Sequence, residues 1–245
     1  MNKSYVPFAV AALLTSLVAG LWLGRTTTVA AQATASGSVT GTVKFEGTAP
    51  KPTRIDMSTD PNCAKAHPSP AMTEDVVTGA NGGLESAVVY ISGGLEGRTF
   101  QPPAQPAVLE QKGCIYKPHV MALQANQKIS VVNSDATTHN IHPTPNNNRE
   151  WNTSQPPGVP LEQTFAREEI AIPVKCNIHP WMRGYIAVLK HPYFAVTGKN
   201  GDFELKDLPA GNYTITVWHG KLGTQSQKVT VSAGQSARVE FAFKQ

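Results

Sequence analysis

Beyond position 35 the chain carries apolar side chains at a period of two, in one short segment after another. SVTGTVKF, SAVVYIS, KISVVNS, EIAIPVK, GYIAVLK, FAVTG, DFELKD, YTITVW, KVTVSAG and ARVEFAF all alternate or are rich in β-branched residues. Such runs put one set of side chains on each side of a pleated strand, and helical periodicity is almost absent. Turn chemistry separates them, with NGG at 81–83, NGD at 200–202 and PAGN at 209–212. Short strands punctuated in this way predict an all-β fold of the sandwich type. The segment PTPNNNREWNTSQPPGVP, 143–160, is too polar for a core strand and reads as a loop. No fixed-period repeat is present. The length, 245 residues, accommodates one large domain or two modest ones.

The first 33 residues differ in kind. Lys3 gives a positive start, an apolar run extends from Val6 to about Leu23, and Ala31-Gln32-Ala33 and Ala33-Thr34-Ala35 both fit a small-residue cleavage site. Residues 1–33 therefore read as a secretory signal peptide, with an uncleaved N-terminal anchor as the alternative. Either way the rest of the chain is expected in a periplasmic or extracellular, oxidising compartment, with membrane contact only through an uncleaved leader. Removing the leader takes away Lys3 and Arg25 and no acid, so the formal charge falls from +4 to +2. That dispersed charge argues against nucleic acid as a partner.

One stretch carries chemistry. CNIHPWM, 176–182, spaces Cys176, His179 and Met182 three residues apart in a chain with only three cysteines. Thiolate, imidazole and a weak thioether together select copper among the common metals, and a second histidine completes an electron-transfer copper site. NSDATTHNIHP, 133–143, offers His139 and His142 after the strand KISVVNS. Zinc is disfavoured by the thioether and by the absence of the usual structural spacings, and haem c attachment lacks its second cysteine.

CNIHPWMRG together with HNIH at 139–142 resembles the ligand motifs of the cupredoxins, most closely the amicyanins. The run AVLEQKGCIYKPHVMALQANQKISVVNSD is similar to the opening strands of that family, and the likeness covers about 107–190. The resemblance implies a Greek-key sandwich, one type 1 copper and the ligands His139, Cys176, His179 and Met182. It places the first histidine immediately before Asn140, which implies that Asn140 ties the two ligand loops together. It implies electron exchange with a redox protein, such as a c-type cytochrome or a dehydrogenase. Two positions depart from the pattern. Thr138 stands where a proline often precedes the first histidine, and Pro173, before Cys176, predicts an edge strand or a bulge. Pro180 and Trp181 flank His179, so its ring edge is expected to emerge through an apolar patch on which a partner docks.

With Cys176 assigned to metal, Cys63 and Cys114 remain as an even pair in an exported chain and read as a disulfide. It would close a loop of about fifty residues and stabilise the fold by roughly 4 kcal/mol. The competing reading is a second metal site from Cys63, His67, Cys114 and His119. His191 and His219 read as packing or surface residues. No recognisable nucleophile or paired-carboxylate arrangement argues for hydrolysis, and four protein ligands would leave no open position for a substrate, so the chain is not expected to be an enzyme.

The C-terminal run, with Phe203, LPAGNY and an alternating strand, resembles carboxypeptidase-regulatory-like modules, which are small transthyretin-like β-sandwiches, over roughly 194–243. GSVTGTVKFEGTA and SAVVYIS resemble the first two strands of the same module. The expected organisation is a leader at 1–33, an N-terminal β region at 34–106 and a cupredoxin domain at 107–190. A regulatory-like sandwich follows at 191–245. In an alternative, the copper domain is inserted between the two halves of that second sandwich. Functionally the reading is a blue-copper electron shuttle. An envelope copper carrier or storage protein, and a non-catalytic glycan- or protein-binding module, are the alternatives.

Overall fold

The computed structural model describes residues 35–244 together with positions 1 and 4, so the expectation for the leader at 1–33 falls outside the described residues. Two strands and one short helix come first: β1 (Ser36–Glu46), α1 (Pro61–Lys65) and β2 (Val88–Gly93). Then follow β3 (Ala107–Gln111), β4 (Tyr116–Lys117), β5 (Val120–Gln124), β6 (Lys128–Asn133) and β7 (His139–Pro143). The central part closes with β8 (Thr153–Gln155), β9 (Leu161–Thr164), β10 (Glu169–Lys175) and β11 (Arg183–Leu189). Last come β12 (Phe194–Val196), β13 (Asp202–Pro209), β14 (Gly211–His219), β15 (Gly223–Val231) and β16 (Ser236–Lys244).

These strands make two sandwiches. The outer one packs a three-stranded sheet, β13-β1-β16, on a four-stranded sheet, β12-β2-β14-β15. Strand β1 runs antiparallel to β13 and parallel to β16, and β2 lies between β12 and β14. The first and last parts of the chain thus share the same two sheets. Alternation explains the core: Val39, Val43 and Phe45 of β1, with Phe203, Leu205, Phe241 and Phe243 beside them in the sheet, pack on Ile215 and Val217 of the other sheet, while Lys44 and Glu46 point to water. Gly41 sits where a Cβ would run into the Val239 carbonyl, so the close β1–β16 approach needs a glycine there.

The inner sandwich, residues 107–189, has sheets β5-β11-β10-β7-β8 and β4-β3-β6-β9. Leu109, Leu123, Ile129, Val131, Ile141, Phe165, Ile172 and Ile186 fill its core. Pro173 is not on an edge, because β10 lies between β11 and β7. The chain instead bulges just before it, between Glu169 and Ile172, with Ala171 at a φ of 67°.

The predicted N-terminal β region holds only two long strands. Between β1 and β2 the chain is irregular apart from α1, a short 3-10 turn at Ala80–Gly82 and isolated bridges. Asp60 caps α1 by accepting the backbone N–H groups of Asn62 and Cys63, and Pro61 opens the first turn. Among the described residues no helix is long and apolar enough to cross a membrane.

Candidate metal centre

Strand pairing brings the two sequence motifs together. Strands β7 and β10 are antiparallel, with Lys175 opposite His142, so the start of β7 and the end of β10 lie at the same end of one sheet. His139 is the first residue of β7, Cys176 follows β10, and the loop 176–182 returns into β11. That loop is closed by Cys176 N–H to the Met182 carbonyl, 3.2 Å, and Met182 N–H to the His179 carbonyl, 2.9 Å.

The donor atoms of His139, Cys176 and His179 converge away from solvent. His139 is 0 %, Cys176 3 %, His179 2 % and Met182 0 % exposed. His139 Nδ1 and His179 Nδ1 face each other at 3.0 Å, and Cys176 Sγ lies 3.8 Å from His179 Nδ1. Two ring nitrogens opposed in this way need a proton or a cation between them. Donors bound to one ion at about 2.0–2.3 Å stand roughly 3–4 Å apart, so these separations fit a shared metal. The Met182 side chain belongs to the same buried cluster as Cys176. Two imidazoles, a thiolate and a thioether match the soft donor set of copper.

The surroundings hold the thiolate and both rings. Cys176 Sγ accepts the backbone N–H groups of Asn140, 3.3 Å, and His179, 3.4 Å. Asn140 links the two motifs, since its Oδ1 accepts Asn177 N–H at 2.9 Å while its carbonyl accepts the Tyr116 hydroxyl at 2.7 Å. Its amide also bonds Asn152 Oδ1. His139 Nε2 meets Asp135 Oδ2 at 2.8 Å, and Asp135 is fixed by Gly113 and Cys114 N–H groups at 2.6 and 2.8 Å. Burial by itself would lower the His139 pKa, but the bonds to Asp135 and the Cys176 thiolate outweigh it and lift it to about 9. Burial likewise opposes ionisation of Cys176, yet His139 and the backbone N–H groups bring its pKa below the usual thiol value. The free site is thus biased towards thiolate, the form a metal needs.

One expectation is corrected. The His179 ring edge does not emerge through an apolar patch, because α1 covers it. Asp60 Oδ2 lies 3.0 Å and Cys63 Sγ 3.8 Å from His179 Nε2. Trp181 is half-buried, with its ring centroid 5.0 Å from that of His179 and its indole N–H on the Cys114 carbonyl at 3.1 Å. Pro180 alone of the proposed docking pair is exposed. The cover is pinned by the disulfide Cys63–Cys114, Cα–Cα 5.5 Å, which also removes both cysteines from the competing second metal site. Two further donor groups, Asp60-Cys63-His179 and Cys114-Asp135-His139, each contain a cysteine of that disulfide. His67 bonds the Gly113 carbonyl and His119 approaches Glu74.

His142 stays out of the cluster, bonded to Glu150 and Asn177 at 2.6 and 3.1 Å. His191 is buried and hydrogen-bonds the Ile91 carbonyl through Nε2, and His219 is buried at the end of β14. Sequence reasoning missed Asp60, Asp135 and Thr137. The Asp-Pro step at 60–61 is a helix-start signal and marks Asp60 as a cap, but nothing local ties it to His179. Asp135 stands four residues before His139, inside a motif already singled out.

Part of the chain is similar to known proteins. The family model of the carboxypeptidase regulatory-like domain matches residues 186–244. A copper-containing nitrite reductase from Thermus scotoductus SA-01 is 21 % identical, with a TM-score of 0.33 over 36 % of this chain, which spans only 25 % of that protein. A purple cupredoxin from Nitrosopumilus maritimus is 21 % identical, with a TM-score of 0.30 over 34 % of this chain and 98 % of that one. A reduced amicyanin variant is 18 % identical, with a TM-score of 0.32 over 41 % of this chain and 97 % of that one. No curated protein matches the sequence. The protein is all-β, built from two sandwiches, and its residues 186–244 are similar to a carboxypeptidase regulatory-like domain.

Proposed function

We propose that the chain is a type 1 copper protein that passes single electrons between redox partners outside the cytoplasm. The observation that supports this most is the meeting of the two Nδ1 atoms with the Cys176 thiolate in a pocket closed to water. Bound copper would supply a one-electron couple. His139, Cys176 and His179 would hold it, with the buried Met182 thioether as a weak fourth donor. The chain's own part is to keep these donors still. Cys176 is fixed by two N–H groups, Asn140 locks one loop on the other, and both imidazoles rest on carboxylates. Donors held on strand ends move little when charge changes, which favours fast transfer. Four protein donors would leave the ion no open position for a substrate, so the reading is a carrier of electrons and not an enzyme. A redox protein such as a c-type cytochrome or a dehydrogenase is the proposed partner, and the leader the proposed route of export.

The test is the visible absorption and electron paramagnetic resonance spectrum of the Cu(II)-loaded protein beside Cys176→Ser. An intense thiolate-to-copper band with narrow hyperfine splitting, absent from the variant, is the expected outcome. A colourless protein, or ordinary tetragonal Cu(II) signals, would overturn the reading.

A further inference from the structure

Asp60 stands 119 residues away from His179 in sequence, yet it meets that ring directly. Its two oxygens do different things. Oδ1 accepts the Asn62 and Cys63 N–H groups at 2.8 and 3.3 Å, which is all that capping α1 requires. Oδ2 takes no part in the cap. It receives the Thr137 hydroxyl at 2.9 Å and faces His179 Nε2 at 3.0 Å. The side chains are buried to match, with 3 % of His179 and 18 % of Asp60 exposed. The carboxylate is also anchored from beyond the helix, because α1 carries Cys63, and Cys63 is joined to Cys114 of the inner sandwich.

We propose that Asp60 is the positioning residue of His179: a carboxylate carried in on the disulfide-pinned α1 that holds the ring by Nε2 and turns Nδ1 into the site. This inference rests on the copper reading for its consequence but not for its geometry. A carboxylate on the far nitrogen of a metal-binding imidazole fixes the ring and makes it a more basic ligand. The added negative charge favours Cu(II) over Cu(I), so Asp60 holds the reduction potential below the value the four donors alone would set.

Asp60→Asn separates this role from capping. Asparagine caps as well as aspartate, so its oxygen can keep the Asn62 and Cys63 bonds, while its amide then opposes His179 Nε2–H and the Thr137 hydroxyl with a donor. The variant should keep its fold with α1 still capped, and lose only the stability of the Oδ2 contacts. Its Cu(II) affinity, read by competition with a chelator, should fall about 10- to 100-fold, the usual effect of losing such a partner. The reduction potential should rise, by about 59 mV for each tenfold loss of Cu(II) over Cu(I) affinity. In the metal-free protein the His179 Nε2–H, followed by nitrogen-15 NMR, should be protected from solvent exchange and lose that protection in Asp60→Asn. Asp60→Ala, which removes cap and partner together, should add a loss of stability to the same changes. Unchanged potential and affinity in a normally folded Asp60→Asn would overturn the proposal, as would a ring N–H equally protected in both proteins. If the unaltered protein shows no thiolate–copper band, the copper reading fails by itself, and the metal-free ring N–H still decides whether Asp60 holds His179.

Discussion

The two sandwiches solve the same packing problem with different residues. The outer core is apolar almost throughout, with Val39, Val43, Leu205, Ile215, Phe241 and Phe243 interleaved from two sheets. The inner core has a comparable set of Leu, Ile and Val residues, but one end of it is made of Cys176, Met182, His139 and His179. Burying two imidazoles and a thiol is costly unless each polar atom is matched. The inner sandwich matches them with Asp135, Asp60 and the N–H groups of Asn140 and His179. The lesson is that a polar cluster can be buried when each of its atoms is matched, while its neighbour is held by apolar contact.

This contrast can be broken in graded steps. The largest effect is expected from deleting 236–245, because β1 then loses its parallel partner from Ser38 to Glu46 and the outer core loses Val239, Phe241 and Phe243. The outer sandwich should unfold, and limited proteolysis with mass spectrometry should find protected fragments only from within 107–190. Equal protection of both halves would mean that β16 is dispensable. Next, Ile215→Ala in the outer core and Ile141→Ala in the inner core should each cost about 2–5 kcal/mol in denaturant unfolding. Only the second, two residues from His139, should alter the copper spectrum.

The histidines give the contrast a pH axis in the metal-free protein. Burial, and then the charge of His119, lower His219 to about 4. Its unfolded value is near 6.5, so the unfolded chain binds the proton first and stability falls as pH drops from about 6.5 towards 4, by at most about 3 kcal/mol. His139 has the opposite sign. Raised to about 9, it contributes stability that is complete below about 6.5 and is lost as pH rises through that higher value. Thermal melts across pH should show the acid loss vanish in His219→Phe and the alkaline loss vanish in His139→Phe. The smallest change belongs to the surface. Lys128 and Glu162 pair at 2.8 Å but are 58 % and 52 % exposed, so Glu162→Gln should shift stability by less than about 1 kcal/mol.

Much of this contrast was legible in the chain itself, for physical reasons. A period of two is local, so most strands could be read from runs such as YTITVW and ARVEFAF. The donor motifs could be read because ligands on one tight loop must be close in sequence. Asp60 could not, since its place depends on how an irregular segment folds back and on which cysteines join. The covered edge of His179 was missed for the same cause: Pro180 and Trp181 describe the loop but not what lies over it. Pro173 signalled an edge or a bulge, and it is the bulge that lets a central strand tolerate it.

The pairing of β1 with β16 has a consequence for the order of events when the protein is made. A chain that emerges from its amino end presents β1 about two hundred residues before the strand it must lie beside. Closing so wide a loop is slow, because entropy is surrendered before any contact rewards it. All the strands between 107 and 189 are available earlier, and their pairings span shorter distances. The donor side chains would therefore assemble while the first strand still waits for the last, and the outer sandwich would close afterwards.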